Sequence, residues 1–97
     1  MTYIQSSGSG GGVTHSSISS NTTAQIGYHY HCTGTFTLTI PASQSAGSEI
    51  RVKNMGTGAI TCDPGTSTID GLTTDYVLDV QYSAITLVSD GTNWEII

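Results

Sequence analysis

The chain carries little charge, and almost none of it is positive. Asp, Glu, Lys and Arg make up only 9% of its 97 residues, and the net charge is -5. About a quarter of the residues in an ordinary globular domain are charged. The basic residues are Arg51 and Lys53 alone. Because nucleic-acid binding depends on Lys and Arg that neutralise phosphates, we expect no nucleic-acid partner.

Long apolar runs are also missing. No segment approaches the roughly 20 apolar residues that a membrane-spanning helix needs, so we expect no membrane partner. Neither a basic start nor an apolar core, the marks of a signal peptide, occurs in the N-terminal sequence MTYIQSSGSGGG. The two cysteines, Cys32 and Cys62, predict reduced, buried thiols rather than a disulfide scaffold.

Short segments of alternating apolar and polar residues fill most of the chain. This period of two is typical of β-strands, and no helical period is visible. Turn signals separate the segments, with a type II turn predicted at 63–66 and a hairpin at Asp90-Gly91. The pattern predicts an all-β fold, a β-sandwich or jelly roll of about eight short antiparallel strands. The predicted core includes Phe36, Leu38, Leu87 and Trp94.

Composition divides the chain into two parts. Residues 1–21 are rich in Ser and Gly and predict an extended N-terminal attachment arm, while 22–97 form the sandwich domain. The apolar anchors of the arm are Tyr3, Ile4, Val13 and Ile18. A small domain with a neutral, Thr-rich surface gains stability by packing against copies of itself, so we expect self-association.

His29 and His31 flank Tyr30 in a predicted strand, and alternation places both imidazoles on one face. Imidazole is a ligand for Zn, Fe, Ni and Cu, and three such pairs near a trimer axis would supply six nitrogens. The alternative is two polar residues on an exposed or interface face, since a His-X-His pair by itself is weak evidence for a metal site. We therefore expect no cofactor, with metal at His29 and His31 left open. His15 is assigned to the arm as a contact residue.

Enzyme signatures are not found. The sequence contains neither a Gly-X-Ser-X-Gly nucleophile motif nor a Gly-Lys-Ser/Thr phosphate loop. Its aspartates occur mainly at predicted turns, where this residue is common. We expect that the protein is not an enzyme. Tyrosine is enriched at protein interfaces. The candidate ligand or subunit contacts are therefore Tyr28, Tyr30, Tyr76 and Tyr82.

The C-terminal two thirds, about 33–97, resemble small β domains of tailed-bacteriophage capsid-decoration, head-fibre and tail-fibre proteins. The closing segment 86–94, Thr-Leu-Val-Ser-Asp-Gly-Thr-Asn-Trp, followed by Ile96-Ile97, carries the resemblance most clearly. The elements upstream that share it are Ile40-Pro41, Ala46-Gly47, Ile50, Val52, Asn54, Gly56, Gly58, Ile60 and Ile69-Asp70-Gly71.

The resemblance implies a virion structural protein that assembles in the cytoplasm of a bacterial host. The first expectation is a homotrimeric capsid decoration (cement) or head-fibre protein, located on the virion surface and bound to the major capsid protein. The alternative is a tail-fibre or receptor-binding tip that recognises a host surface glycan or protein, with loops 41–47 and 73–75 as its contacts. A lectin-like accessory domain is a third expectation.

Overall fold

The computed structural model describes residues 13–42 and 44–97, which form nine β-strands. Helices do not occur in these ranges, so none is long and apolar enough to cross a bilayer. The all-β prediction is confirmed. The strands are β1 (Thr14–Ile18), β2 (Thr22–Thr23), β3 (Tyr28–Cys32), β4 (Phe36–Thr39), β5 (Glu49–Asn54), β6 (Ile60–Asp63), β7 (Tyr76–Leu78), β8 (Ala84–Ser89) and β9 (Trp94–Ile96).

The strands form two sheets that enclose one core. Sheet A has the order β1-β3-β5-β8-β9, and sheet B has the order β2-β4-β6-β7. The first six strands alternate between the sheets, so that each odd-numbered strand and its successor make one coil of the chain. Three coils, β1–β2, β3–β4 and β5–β6, therefore stack along the molecule.

Strand direction differs from the prediction of an antiparallel fold. The coils stack in parallel, β1 on β3 on β5 in sheet A and β2 on β4 on β6 in sheet B. Strands β7, β8 and β9 add antiparallel pairs at the C-terminal end. The expectation of antiparallel strands throughout is wrong because short connections such as 19–21 and 33–35 lead to the opposite sheet. Gly34 lies in the second of these, with a φ of 100° that favours glycine.

Alternation determines which side chains enter the core. On β5, Ile50, Val52 and Asn54 are buried, whereas the residues between them point outwards. Both sheets contribute to a single hydrophobic cluster, which contains all four predicted core residues, Phe36, Leu38, Leu87 and Trp94. The indole N–H of Trp94 donates a hydrogen bond to the carbonyl of Pro41 at 2.8 Å. That bond supplies the partner that a buried indole requires.

The predicted hairpin at Asp90-Gly91 joins β8 to β9. The Asp90 carboxylate accepts hydrogen bonds from the backbone N–H groups of Thr92 and Asn93, at 2.9 and 2.8 Å. Gly91 has a φ of 102°, which a residue with a Cβ rarely adopts. These contacts fix the turn and so the pairing that ends sheet A.

The other predicted turn is displaced by one residue. The N–H of Ser67 donates to the carbonyl of Pro64 at 3.0 Å, so the hydrogen-bonded turn is 64–67 rather than 63–66. Gly65, with a φ of 62°, is its first central residue. Asp63 instead stays in β6 and accepts the N–H of Gly65 at 2.9 Å.

The N-terminal boundary also differs from the composition-based division. Residues 14–18, assigned to the arm, form β1 and pair with β3 in sheet A. Ile18 packs against the hydrophobic core, whereas Val13 is exposed. The other two predicted anchors, Tyr3 and Ile4, lie outside the described residues.

Candidate functional site

The outer face of sheet A brings three histidines together. His15 lies on β1 and His29 on β3, and the parallel register places them directly opposite each other. His31 is two residues further along β3 and points to the same face. His15 is exposed, and His29 and His31 are half-buried. The sequence placed His29 and His31 together correctly but assigned His15 to the arm.

The imidazole nitrogens are within reach of one another. Nε2 of His31 is 3.1 Å from Nε2 of His29. One ligand nitrogen from each of the three rings can be chosen so that all lie within 4.8 Å of one another. The ring centroids of His15 and His31 are 4.5 Å apart, and the planes are almost perpendicular, at 87°. The three imidazoles therefore lie close together at one place on the surface.

The surroundings of His29 favour its neutral form. Burial lowers the pKa of His29, and the neighbouring His31 and His15, with Arg51 and Lys53 of β5, lower it further. A neutral imidazole retains a lone pair on one ring nitrogen, which is the form that binds a metal ion.

Arg51 and Lys53 each have contacts of their own. A guanidinium nitrogen of Arg51 is 2.8 Å from the Glu49 carboxylate. The ammonium of Lys53 lies 6.0 Å from the centroid of the Tyr82 ring, within the range of a cation–π contact. The cations therefore border the histidines while their charges are partly balanced by these partners.

A groove of about 320 Å³ opens beside His31, at the C-terminal ends of β1, β3 and β5. Its wall includes His31, Ser17, Thr33 and Met55. The hydroxyl oxygen of Ser17 is 3.1 Å from Nε2 of His15. A small molecule or water in this groove would lie next to His31.

A second feature is an exposed apolar segment between β6 and β8. Within residues 70–82, only Leu78 is buried. Leu72, Val80 and Tyr82 are 61%, 64% and 60% exposed. Tyr82 has a φ of 69°, a conformation that is costly for a bulky residue and is concentrated at functional sites. This segment, 70–82, is called the cap segment below.

The predicted tyrosine contacts fall into two groups. Tyr76 and Tyr82 are exposed in the cap segment. Tyr30 is 2% exposed, and its hydroxyl accepts the N–H of Gln25 at 2.8 Å, so this side chain belongs to the core. Tyr28 is half-buried and stacks on Tyr30 with 5.5 Å between ring centroids. The alternation along β3 predicts that Tyr28 and Tyr30 face away from His29 and His31. No pattern in the sequence predicts that Tyr76 and Tyr82 are exposed.

A second groove, of about 480 Å³, lies at the N-terminal ends of β1, β3 and β5 in sheet A. Val13, Ile26 and Tyr28 form its apolar wall, and Glu49 and Arg51 form its polar wall. Val13, one of the predicted attachment anchors, therefore lies at this groove. Loop 41–47, a predicted receptor contact, includes Ser43, which lies outside the described residues.

No family model matches the chain, and no curated protein matches it significantly.

Proposed function

We propose that the protein is a virion structural protein that functions by association, first with copies of itself and then with the surface of a phage head. In this proposal it is a homotrimeric capsid decoration or head-fibre protein, and the major capsid protein is its partner. The resemblance of 33–97 to such domains supports the phage assignment. The cap segment supports assembly.

The single observation that carries the proposal is the exposure of apolar side chains in the cap segment. A small monomeric domain gains by burying large apolar residues, and exposed apolar patches commonly mark protein interfaces. Val80 and Tyr82 are both exposed in the turn that precedes β8. Burying the exposed parts of Leu72, Val80 and Tyr82 would contribute roughly 1–2 kcal/mol each. β7 lies within this segment at the edge of sheet B, where backbone groups are available to a partner strand.

The low charge of the surface supports the same proposal. In the described ranges, Arg51 with Glu49 is the only ion pair between side chains. Charged groups are depleted at the centres of protein interfaces because burying them is costly. A surface of Thr, Ser and Gly has a smaller desolvation cost when copies pack together.

Sedimentation velocity over a dilution series tests self-association. We expect a concentration-dependent shift from monomer to trimer. The double variant Val80→Ser/Tyr82→Asn should weaken the association at least about tenfold, since it removes roughly 2 kcal/mol or more of burial. Asn tolerates the positive φ at position 82, so the fold should persist.

Ile26→Ser is the matched control. Ile26 is 45% exposed and lies near the start of β5. Tyr82 lies at the other end of this strand, where its backbone N–H donates to the carbonyl of Asn54. The control should associate like the wild type. A wild-type protein that remains monomeric at every concentration, or a double variant that associates normally, would contradict the proposal.

Binding to phage heads is tested separately. Recombinant protein is mixed with heads that lack it, and co-sedimentation is measured for the full chain and for a chain without residues 1–12, which leaves β1 intact. We expect saturable binding by the full chain and weaker binding after deletion. Absence of binding, or identical binding by both chains, would reject the head-attachment role.

The stacked coils favour a second candidate, the tail-fibre or receptor-binding tip. Parallel coils in register form an elongated architecture when more are added, and antiparallel β7, β8 and β9 end this stack. Adsorption of labelled protein to host cells and to glycan arrays tests this role. The loop 73–75 is a described candidate contact, and its replacement by Gly-Ser-Gly should abolish adsorption if the role is correct. No adsorption by the wild type would exclude it.

A further inference from the structure

The three histidines of sheet A come from two coils, and the parallel register alone makes them neighbours. His15 and His29 are 14 residues apart in sequence yet occupy adjacent strands, which lie about 4.8 Å apart. His31 extends from the same face of β3. The cluster is complete within one chain and does not require the trimer axis that the sequence suggested.

The distances suit a tetrahedral metal ion. Zinc–nitrogen bonds of about 2.0–2.1 Å place two ligand nitrogens about 3.3–3.4 Å apart. The Nε2 atoms of His29 and His31 are 3.1 Å apart, close to that separation. The ligand nitrogens of the three histidines lie up to 4.8 Å apart. Binding one ion would therefore require the most distant nitrogen to move by roughly 1.5 Å. His15 is exposed and can supply this movement by side-chain rotation.

The surroundings leave one coordination position open. Three protein ligands and one exchangeable ligand are usual where zinc is accessible to small molecules. The groove beside His31 and Ser17 provides room for the exchangeable ligand. Arg51 and Lys53 would favour an anion there, such as hydroxide or a carboxylate, because their positive charges lie on the adjacent strand.

We propose that His15, His29 and His31 bind one divalent transition-metal ion of the zinc class per chain, with a fourth position open to solvent. The proposal is independent of the assembly function. It assigns binding rather than catalysis to these residues.

Calorimetric titration of untagged protein with Zn²⁺ is the test, and Co²⁺ serves as a spectroscopic probe of the same site. We expect one ion per chain. The Co²⁺ spectrum should have the visible bands of a four- or five-coordinate ion without a thiolate charge-transfer band, since both cysteines are buried. Loss of a residue that only supports a ligand costs about 10–100-fold in affinity, so each of His15→Ala, His29→Ala and His31→Ala should cost at least about tenfold.

Thr86→Ala is the matched control. Thr86 pairs with Arg51 on the side of β5 away from the histidines, so its removal should leave zinc affinity unchanged. Circular dichroism establishes that each variant is folded. Retention of wild-type affinity by any one of the three histidine variants, or a stoichiometry below one ion per chain, would overturn the three-histidine site.

A gain of affinity provides an independent test. Arg51 occupies the position opposite His29 on β5. Arg51→His removes a positive charge and adds a fourth imidazole, whereas Arg51→Gln removes the charge alone. We expect both variants to bind zinc more tightly than the wild type. Arg51→His should bind at least about tenfold more tightly than Arg51→Gln, which is the change in affinity that one residue supporting a metal ligand commonly makes. Equal affinities for the two variants would place the ion away from His29 and contradict the proposal.

Discussion

Gly58 lies where the turn after β5 crosses the turn after β3, and this contact fixes how closely two coils can stack. A Cβ at position 58 would overlap the carbonyl oxygen of Gly34 and lie 2.5 Å from Oγ1 of Thr35. Ordinary contacts to a Cβ are 3.4–4 Å. Thr35 can rotate away, but Gly34 presents backbone, so relief requires displacement of a whole turn. Overpacking of this kind costs about 1–3 kcal/mol and sometimes more, so Gly58→Ala should destabilise the fold.

Gly56→Ala is the matched control, because it makes the same change in the same turn. The nearest atom to a Cβ at position 56 is 3.6 Å away, an ordinary contact. Neither glycine has a positive φ, so both substitutions restrict the unfolded chain similarly, which stabilises by about 0.4–1 kcal/mol. The difference between the two variants therefore isolates the overlap.

Urea unfolding followed by the fluorescence of the buried Trp94 measures both free energies. We expect Gly58→Ala to be about 2–3 kcal/mol less stable than Gly56→Ala, with an unchanged dependence on urea. For a domain of this size the midpoint of thermal unfolding should differ by roughly 10 °C or more. Agreement of the two variants within about 0.5 kcal/mol would refute the close stacking of these coils.

Three further outcomes are expected. Asn54→Ala should cost roughly 3 kcal/mol, measured by the same unfolding assay, because the buried amide donates to the carbonyls of two residues and accepts one backbone N–H. Burial raises the pKa of Cys32 to about 11 and that of Cys62 to about 12. A thiolate-specific reagent should therefore modify the native protein only as fast as it unfolds, and fast labelling at pH 7 would contradict this burial. Hydrogen bonds from backbone N–H groups lower the pKa of Asp90 below its ordinary 3.8. Its ionised form thus stabilises the fold above that value, and this contribution is lost as the pH falls through the folded-state pKa. Asp90→Asn should reduce the loss of thermal stability in acid, and an unchanged acid profile would contradict the assignment.

Much of the fold follows from the sequence because alternation reports burial. The period of two identified all-β structure and located Phe36, Leu38, Leu87 and Trp94 in the core. The Asp90-Gly91 pair located the final hairpin, since few sequences satisfy that turn. Both inferences depend on local chemistry, which a single sequence contains.

Strand direction and coil stacking do not follow from the same pattern. A strand with one buried face has the same alternation whether its neighbours run parallel or antiparallel. The turn after β3 sends the chain to the opposite sheet, which local residue types did not reveal. For this reason the cluster of His15 with His29 was missed: an offset of 14 residues has meaning only when the length of a coil is known.

Parallel coils convert sequence offsets into rows of side chains on the outer face of sheet A. His15, His29 and Arg51 form one such row, and Ser17, His31 and Lys53 form the next. Neighbouring rows on one face are two residues apart along each strand. Because the residues between them point to the core, substitutions in the rows on β1 and β3 can assemble a cluster of side chains without changing a core residue. The cap segment is built differently, from antiparallel β7 and the connections that flank it, and its Tyr82 lies near Lys53 of these rows. Since the histidine rows and the cap segment are built from different strands, we expect the proposed metal binding and the proposed self-association to be lost separately.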